Sequence, residues 1–150
     1  MKHQVLIVED NEINRETLKA VLSDEYSILE AENGQEALDV LNVNKGSVAL
    51  ILLDVMMPVM DGYTFLDIVK KDSVLSLIPV IVTTQSNGEA DEIAALEHGA
   101  NDFVSKPYRA QIIRHRAASL IKLRETAALQ LFFCGYVPCL YLSEYFRAYF

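Results

Sequence analysis

The chain has 150 residues, a length that predicts one domain with at most a short appendage. It carries 13 Lys+Arg against 21 Asp+Glu, a formal net charge of −8, which argues against direct nucleic-acid binding because phosphate backbones need a cationic surface. A hydrophobic share of 51% and a charged share of 23% exclude a disordered polymer, and a chain this long can bury a core without disulfide staples.

Short apolar runs punctuate the first two thirds of the sequence. Val5 to Val8, Val48 to Leu53 and Val80 to Val82 are nearly continuous, as in strands buried on both faces of a parallel sheet. Tyr26 to Glu30 and Asp102 to Val104 are weaker candidates. Between them run amphipathic segments. Ile13, Thr17, Ala20 and Val21 share one helical face, Ala37, Leu38 and Leu41 a second, Phe65, Leu66 and Val69 a third, and Ile93, Leu96 and Glu97 a fourth. Asn11, Asn33-Gly34, Asp61-Gly62 and Ser86-Asn87-Gly88 supply start signals. Strictly alternating strands and helices predict an α/β fold, a doubly wound five-stranded parallel sheet with helices on both faces.

The last helix is expected from about Tyr108 to about Leu131, long enough to outlast the sheet. Ile113, Leu120 and Ala127 are spaced by seven, with Ala117 and Arg124 between, so a coiled-coil seam is present but broken at Arg124. Such a helix serves as a homodimer stalk or as a connector to an output domain. Residues 131–150 then hold 8 of the 13 aromatics, both cysteines and only two charges, Glu144 and Arg147. This tail is read as packing on the domain or on a second copy, or as the start of a truncated linker. Gly135 and Pro138 speak against a membrane helix. Cys134 and Cys139 lack the His or second Cys pair of a zinc knuckle. The N-terminal apolar run is too short for a secretory signal, which with the missing disulfide framework predicts a cytoplasmic location with no membrane association.

In an open parallel sheet the functional crevice lies beyond the carboxyl ends of the strands. There the first strand delivers Glu9-Asp10, the third Asp54, the fourth Thr83-Thr84, and the fifth is followed by Lys106-Pro107. Three carboxylates in one place repel, and a hard divalent cation such as Mg²⁺ resolves the conflict. A phosphoryl group can then approach a carboxylate, with Lys106 and Thr84 contacting its oxygens. The chemistry inferred is phosphoryl transfer onto a carboxylate, giving an acyl phosphate.

Val8-Glu9-Asp10-Asn11, Asp54-Val55-Met56-Met57-Pro58-Val59-Met60-Asp61-Gly62, Thr84 and Lys106-Pro107, in this order and each at a strand end, make residues 1–124 resemble the receiver domain of bacterial two-component response regulators. The resemblance implies a flavodoxin-like fold for residues 1–124; residues 125–150 are read as a helical extension and aromatic-rich tail, with a truncated linker to an output domain as one reading. It implies that Asp54 is the phosphoacceptor, that Asp10, Glu9 in an outer role, Asp54 and the backbone carbonyl of Met56 bind Mg²⁺, and that Thr84 and Lys106 answer the phosphoryl group. Phe103 matches the aromatic switch position, though plain core suits it equally well. The Lys106-Pro107 bond matches the family's cis peptide. The implied partners are a sensor histidine kinase or phosphotransfer protein and a downstream protein or fused output domain.

Two departures stand out. Glu9 replaces a common Asp, and Gln85 follows Thr84 where a small residue is usual, which crowds the phosphoryl site and slows dephosphorylation or narrows donor access. Rival readings fare less well. An aspartyl hydrolase resembling the haloacid dehalogenase group needs a second Asp two residues after the nucleophile, where this chain has Met56. A pseudo-receiver is opposed by the complete Asp10, Asp54, Thr84 and Lys106 set. No cyclase signature occurs, so the chain itself is expected neither to make a cyclic dinucleotide nor to turn over substrate as an enzyme. A regulatory fragment of a larger protein, such as a diguanylate cyclase, is the alternative.

Overall fold

Five parallel strands stand in the order β2-β1-β3-β4-β5: β1 (Gln4–Val8), β2 (Ser27–Ala31), β3 (Val48–Asp54), β4 (Val80–Thr84) and β5 (Asp102–Ser105). Helices α1 (Glu12–Leu22), α2 (Gly34–Val43), α3 (Gly62–Lys71), α4 (Glu89–Glu97) and α5 (Ala110–Phe133) alternate with them. The computed structural model describes residues 2–44, 46–85 and 88–133, with side chains only as far as residue 130. The aromatic tail with Cys134 and Cys139, and the Ser86-Asn87 start signal, lie outside the described residues. The chain order reverses direction between β1 and β3, which places a crevice at the carboxyl ends of these two strands.

All seven residues of β3 are buried, as its unbroken apolar run demands of a central strand. The sheet carries one core on each face. Leu6, Val8, Ile51, Leu53, Val80 and Val82 meet α2, α3 and Ala95 of α4 on one side. Val5, Ile7, Leu50, Leu52, Ile81 and Val104 meet Leu18 and Leu22 of α1 and Ile113, Ala117 and Ile121 of α5 on the other.

The predicted capping residues work as expected. Asn11, Asn33 and Asp61 accept hydrogen bonds from the N–H groups of Asn14, Glu36 and Thr64. α4 starts from Gly88, without a side-chain cap. The faces of α2 and α3 match the expected residues, whereas two others require correction. α1 buries Arg15, Leu18 and Leu22, while Ile13 is 77% exposed and Thr17 and Ala20 face solvent. The apolar count misleads because Arg15 occupies the buried face, where its guanidinium meets the Glu9 carbonyl and the Glu30 and Glu32 carboxylates. α4 buries Ala95 and leaves Ile93 and Leu96 about half exposed.

α5 begins two residues later than expected and runs past Leu131. Ile113 and Ala117 of the seam are buried, joined by Ile121, whereas Ala127 is exposed. Arg124 donates to the Val48 carbonyl at 3.2 Å, and Glu125 meets His3 at 2.9 Å. The residue that breaks the heptad seam therefore ties the helix to its own sheet.

Candidate functional site

Side-chain alternation builds the site. Glu9 continues the row Val5-Ile7, Asp54 the row Leu50-Leu52, Thr83 follows Ile81, and Lys106 follows Val104, all on the α1 and α5 side of the sheet. At the strand ends these rows converge. Oxygens of Glu9, Asp10 and Asp54 lie within 4.8 Å of one another, with Glu9 and Asp54 buried and Asp10 exposed. An all-oxygen set of this kind fits a hard divalent cation such as Mg²⁺.

Lys106 is held between the two buried acids, its Nζ 3.1 Å from Glu9 Oε2 and 3.5 Å from Asp54 Oδ2. Asn11 N–H donates to Glu9 Oε1 at 3.1 Å, and Met56 N–H donates to Asp54 Oδ1 at 3.3 Å. The two acids respond oppositely. Burial lifts Asp54, and the neighbouring Glu9 charge adds to it, so its pKa is pushed up to about 7 despite Lys106. Burial acts on Glu9 the same way, but the Lys106 ammonium and the Asn11 N–H outweigh it and hold the carboxyl below its ordinary value.

Thr84 is buried at the end of β4 in the row of Val80 and Val82, one position beyond the register pair Asp54 and Thr83. Its carbonyl accepts from Lys106 N–H at 2.8 Å, which ties the β5 exit to β4. Lys106-Pro107 is cis. Phe103 is partly buried against the α2 and α3 core, and Arg116 stands 5.9 Å over its ring while donating to its carbonyl. The β3–α3 loop, including Met56, is kept in place by Gly62, whose N–H donates to the Val55 carbonyl at 3.1 Å.

Three residues of the neighbourhood escape a reading by motif. Arg15 is buried beneath the acidic turn, donating to the carbonyl of Glu9 at 2.9 Å, and it meets Glu32 at 3.2 Å and Glu30 at 3.5 Å. Tyr108 donates its hydroxyl to Glu9 Oε2 at 3.1 Å. The Thr83 hydroxyl is fully buried on the carboxylate side, close to the Tyr108 hydroxyl but without a partner at hydrogen-bonding geometry among the described residues. The alternation Val104, Lys106, Tyr108 carries a signal for the tyrosine, while nothing local marks Arg15.

The family model of the response regulator receiver domain matches residues 5–118. The chain belongs to this family. Response regulator PleD of Caulobacter vibrioides is 38% identical over 125 residues, 83% of this chain and 27% of PleD. Chemotaxis protein CheY1 of Helicobacter pylori is 35% identical over 115 residues, 75% of this chain and 92% of CheY1. The solved signal receiver domain of a signal transduction histidine kinase from Syntrophus aciditrophicus aligns with a TM-score of 0.73 at 35% identity, covering 80% of this chain and 90% of that one. The chain spans 9% of histidine kinase P4 of Formosa agariphila and about half the length of other curated relatives it matches. Receivers are signalling modules of two-component systems, and the five-stranded flavodoxin-like sheet of this chain is theirs. Among the described residues no helix is long and apolar enough to cross a membrane.

Proposed function

We propose that this receiver accepts a phosphoryl group on Asp54 from the phosphohistidine of a cytoplasmic sensor histidine kinase or phosphotransfer protein. The observation that carries the reading is Asp54 itself, buried at a strand end beside Lys106 and within reach of two further acids. An Asp54 carboxylate oxygen forms a bond to phosphorus as the P–N bond breaks, and the imidazole nitrogen keeps the electron pair. Glu9, Asp10, Asp54 and the Met56 carbonyl are the Mg²⁺ ligands of this reading, with Glu9 in an outer role. Mg²⁺ bound there supplies charge neutralisation of the acids and of the phosphoryl oxygens.

Lys106 then leaves Glu9 for the new phosphoryl oxygens, and the Thr84 hydroxyl turns to the same group. Phe103 follows Thr84, which re-sorts the face of α4, β5 and α5. A groove of about 340 Å³ already lies on that face, lined in part by Glu92, Phe103, Arg109 and Arg116. This is a shift between two packed states biased by phosphate contacts, with no turnover of an external substrate beyond autodephosphorylation.

Residues 1–124 form the receiver in this reading, and residues 125–150, a helical extension followed by an aromatic-rich tail, lead toward an output domain or a second copy. The curated relatives include both receivers within a larger protein, as in PleD, and a receiver that makes up most of its protein, as in CheY1. Exposure to acetyl phosphate and Mg²⁺, followed by intact-mass measurement, tests the core of the reading. One added phosphoryl group is expected on the wild type and none on Asp54→Ala. Lys106→Ala takes up some label while its α4–β5–α5 amide resonances fail to shift. Labelling of Asp54→Ala at the wild-type level overturns the reading.

A further inference from the structure

Glu9 Oε2 is an unusually crowded oxygen. Two donors from one short segment reach it, the Lys106 ammonium and the Tyr108 hydroxyl, each at 3.1 Å, and the Lys106 nitrogen stands 6.0 Å from the centre of the Tyr108 ring. Glu9 is 1% exposed, so solvent cannot replace a lost donor. The two donors differ in one decisive respect. An ammonium is repelled by a divalent cation in the same acidic cluster, and a neutral hydroxyl is not. A phenolic hydroxyl carries no charge near neutral pH, so it can stay on Glu9 beside a cation.

We propose that Tyr108 is a positioning residue of the acidic site, the neutral donor that keeps Glu9 oriented when a cation in the cluster drives Lys106 from it, and again when Lys106 turns to the phosphoryl group. This deepens the reading above and rests on it. Lys106 can change partners only if the acid it leaves behind is not stranded, because a buried carboxylate with a vacant oxygen is costly. Tyr108 meets that need from two residues away, across Pro107, so one segment supplies both the travelling donor and the stationary one. Partners that orient a metal ligand from behind typically govern affinity by ten- to a hundredfold.

The test is calorimetric titration of Mg²⁺ into the full chain and its Tyr108→Phe variant, which keeps the ring and its packing and loses only the hydroxyl. The variant is expected to bind Mg²⁺ roughly tenfold more weakly. In a Glu9→Ala background the same substitution is expected to change nothing, a dependence that a merely structural role for the ring does not produce. In a Lys106→Ala background the loss is expected to persist, because Tyr108 is then the side-chain donor left on Glu9. Unchanged Mg²⁺ affinity in Tyr108→Phe, or a loss of equal size with and without Glu9, overturns the inference while leaving the phosphoacceptor reading standing. A wild-type chain that takes up no Mg²⁺ removes that reading and the inference together.

Discussion

Gly62 lies directly against the backbone of Asp54: a Cβ placed on it would stand 2.4 Å from the Asp54 carbonyl oxygen and 2.6 Å from the Val55 Cα. Neither neighbour is a flexible side chain, so neither can yield. The first turn of α3 must come this close for the β3–α3 loop to fold back beside the acids. Gly62→Ala is therefore expected to cost about 1–3 kcal/mol in urea denaturation, as overpacking does, and to reduce phosphoryl labelling of Asp54 along with it. A variant of wild-type stability and labelling would show that the approach is not needed.

Val59 sits in the same loop with φ +67°, a left-handed conformation that disfavours a β-branched side chain, and its side chain is exposed. Val59→Gly removes the steric conflict and no packing. It is expected to raise stability by up to about 1 kcal/mol, read as a higher urea midpoint with an unchanged slope.

With Asp54 as a ligand of the proposed Mg²⁺, its raised pKa of about 7 predicts a pH dependence of binding. Above pH 7 the carboxyl is ionised and the cation enters without displacing a proton. Below it, binding must expel the proton, so the apparent affinity falls toward tenfold per pH unit. Titrations from pH 5.5 to 8.5 should weaken on the acid side, and Asp54→Asn should flatten that limb. An apparent affinity independent of pH would contradict the prediction.

Arg15 supports the acidic turn from below, donating to the Glu9 carbonyl while pairing with Glu30 and Glu32. Arg15→Met keeps much of the bulk and leaves a buried carbonyl without its donor. A loss of about 1–3 kcal/mol in urea is expected, together with weaker Mg²⁺ binding. Arg15→Lys should not restore either, because one ammonium cannot span the carbonyl and both carboxylates.

Gln85 is exposed immediately after Thr84. If its long side chain screens the phosphoryl group, Gln85→Ala should shorten the acyl-phosphate lifetime and speed labelling by acetyl phosphate. An unchanged lifetime disposes of the idea.

The fold was legible because buried parallel strands write themselves as continuous apolar runs, and because Asn11, Asn33 and Asp61 mark helix starts by a local hydrogen bond. The strand-end acids and Lys106 were legible for the same reason, since a strand boundary fixes where its next side chain emerges. What stayed hidden depends on partners distant in sequence. Arg15 is buried only because carbonyls of the β1 exit await it, so Ile13 looks like core and is not. Tyr108 reaches Glu9 across 99 positions. Arg124 reads as a flaw in a seam until the Val48 carbonyl is found opposite it.

That last contact has a mechanical consequence. The segment entering α5 is fastened at the carboxyl pole of the sheet through Tyr108 and Glu9, and the helix is fastened at the opposite pole through Arg124 to Val48 and Glu125 to His3. Between these two fastenings the rod does not swing as a lever. Motion passed along it must be a roll about its own axis, or must begin with one clamp letting go.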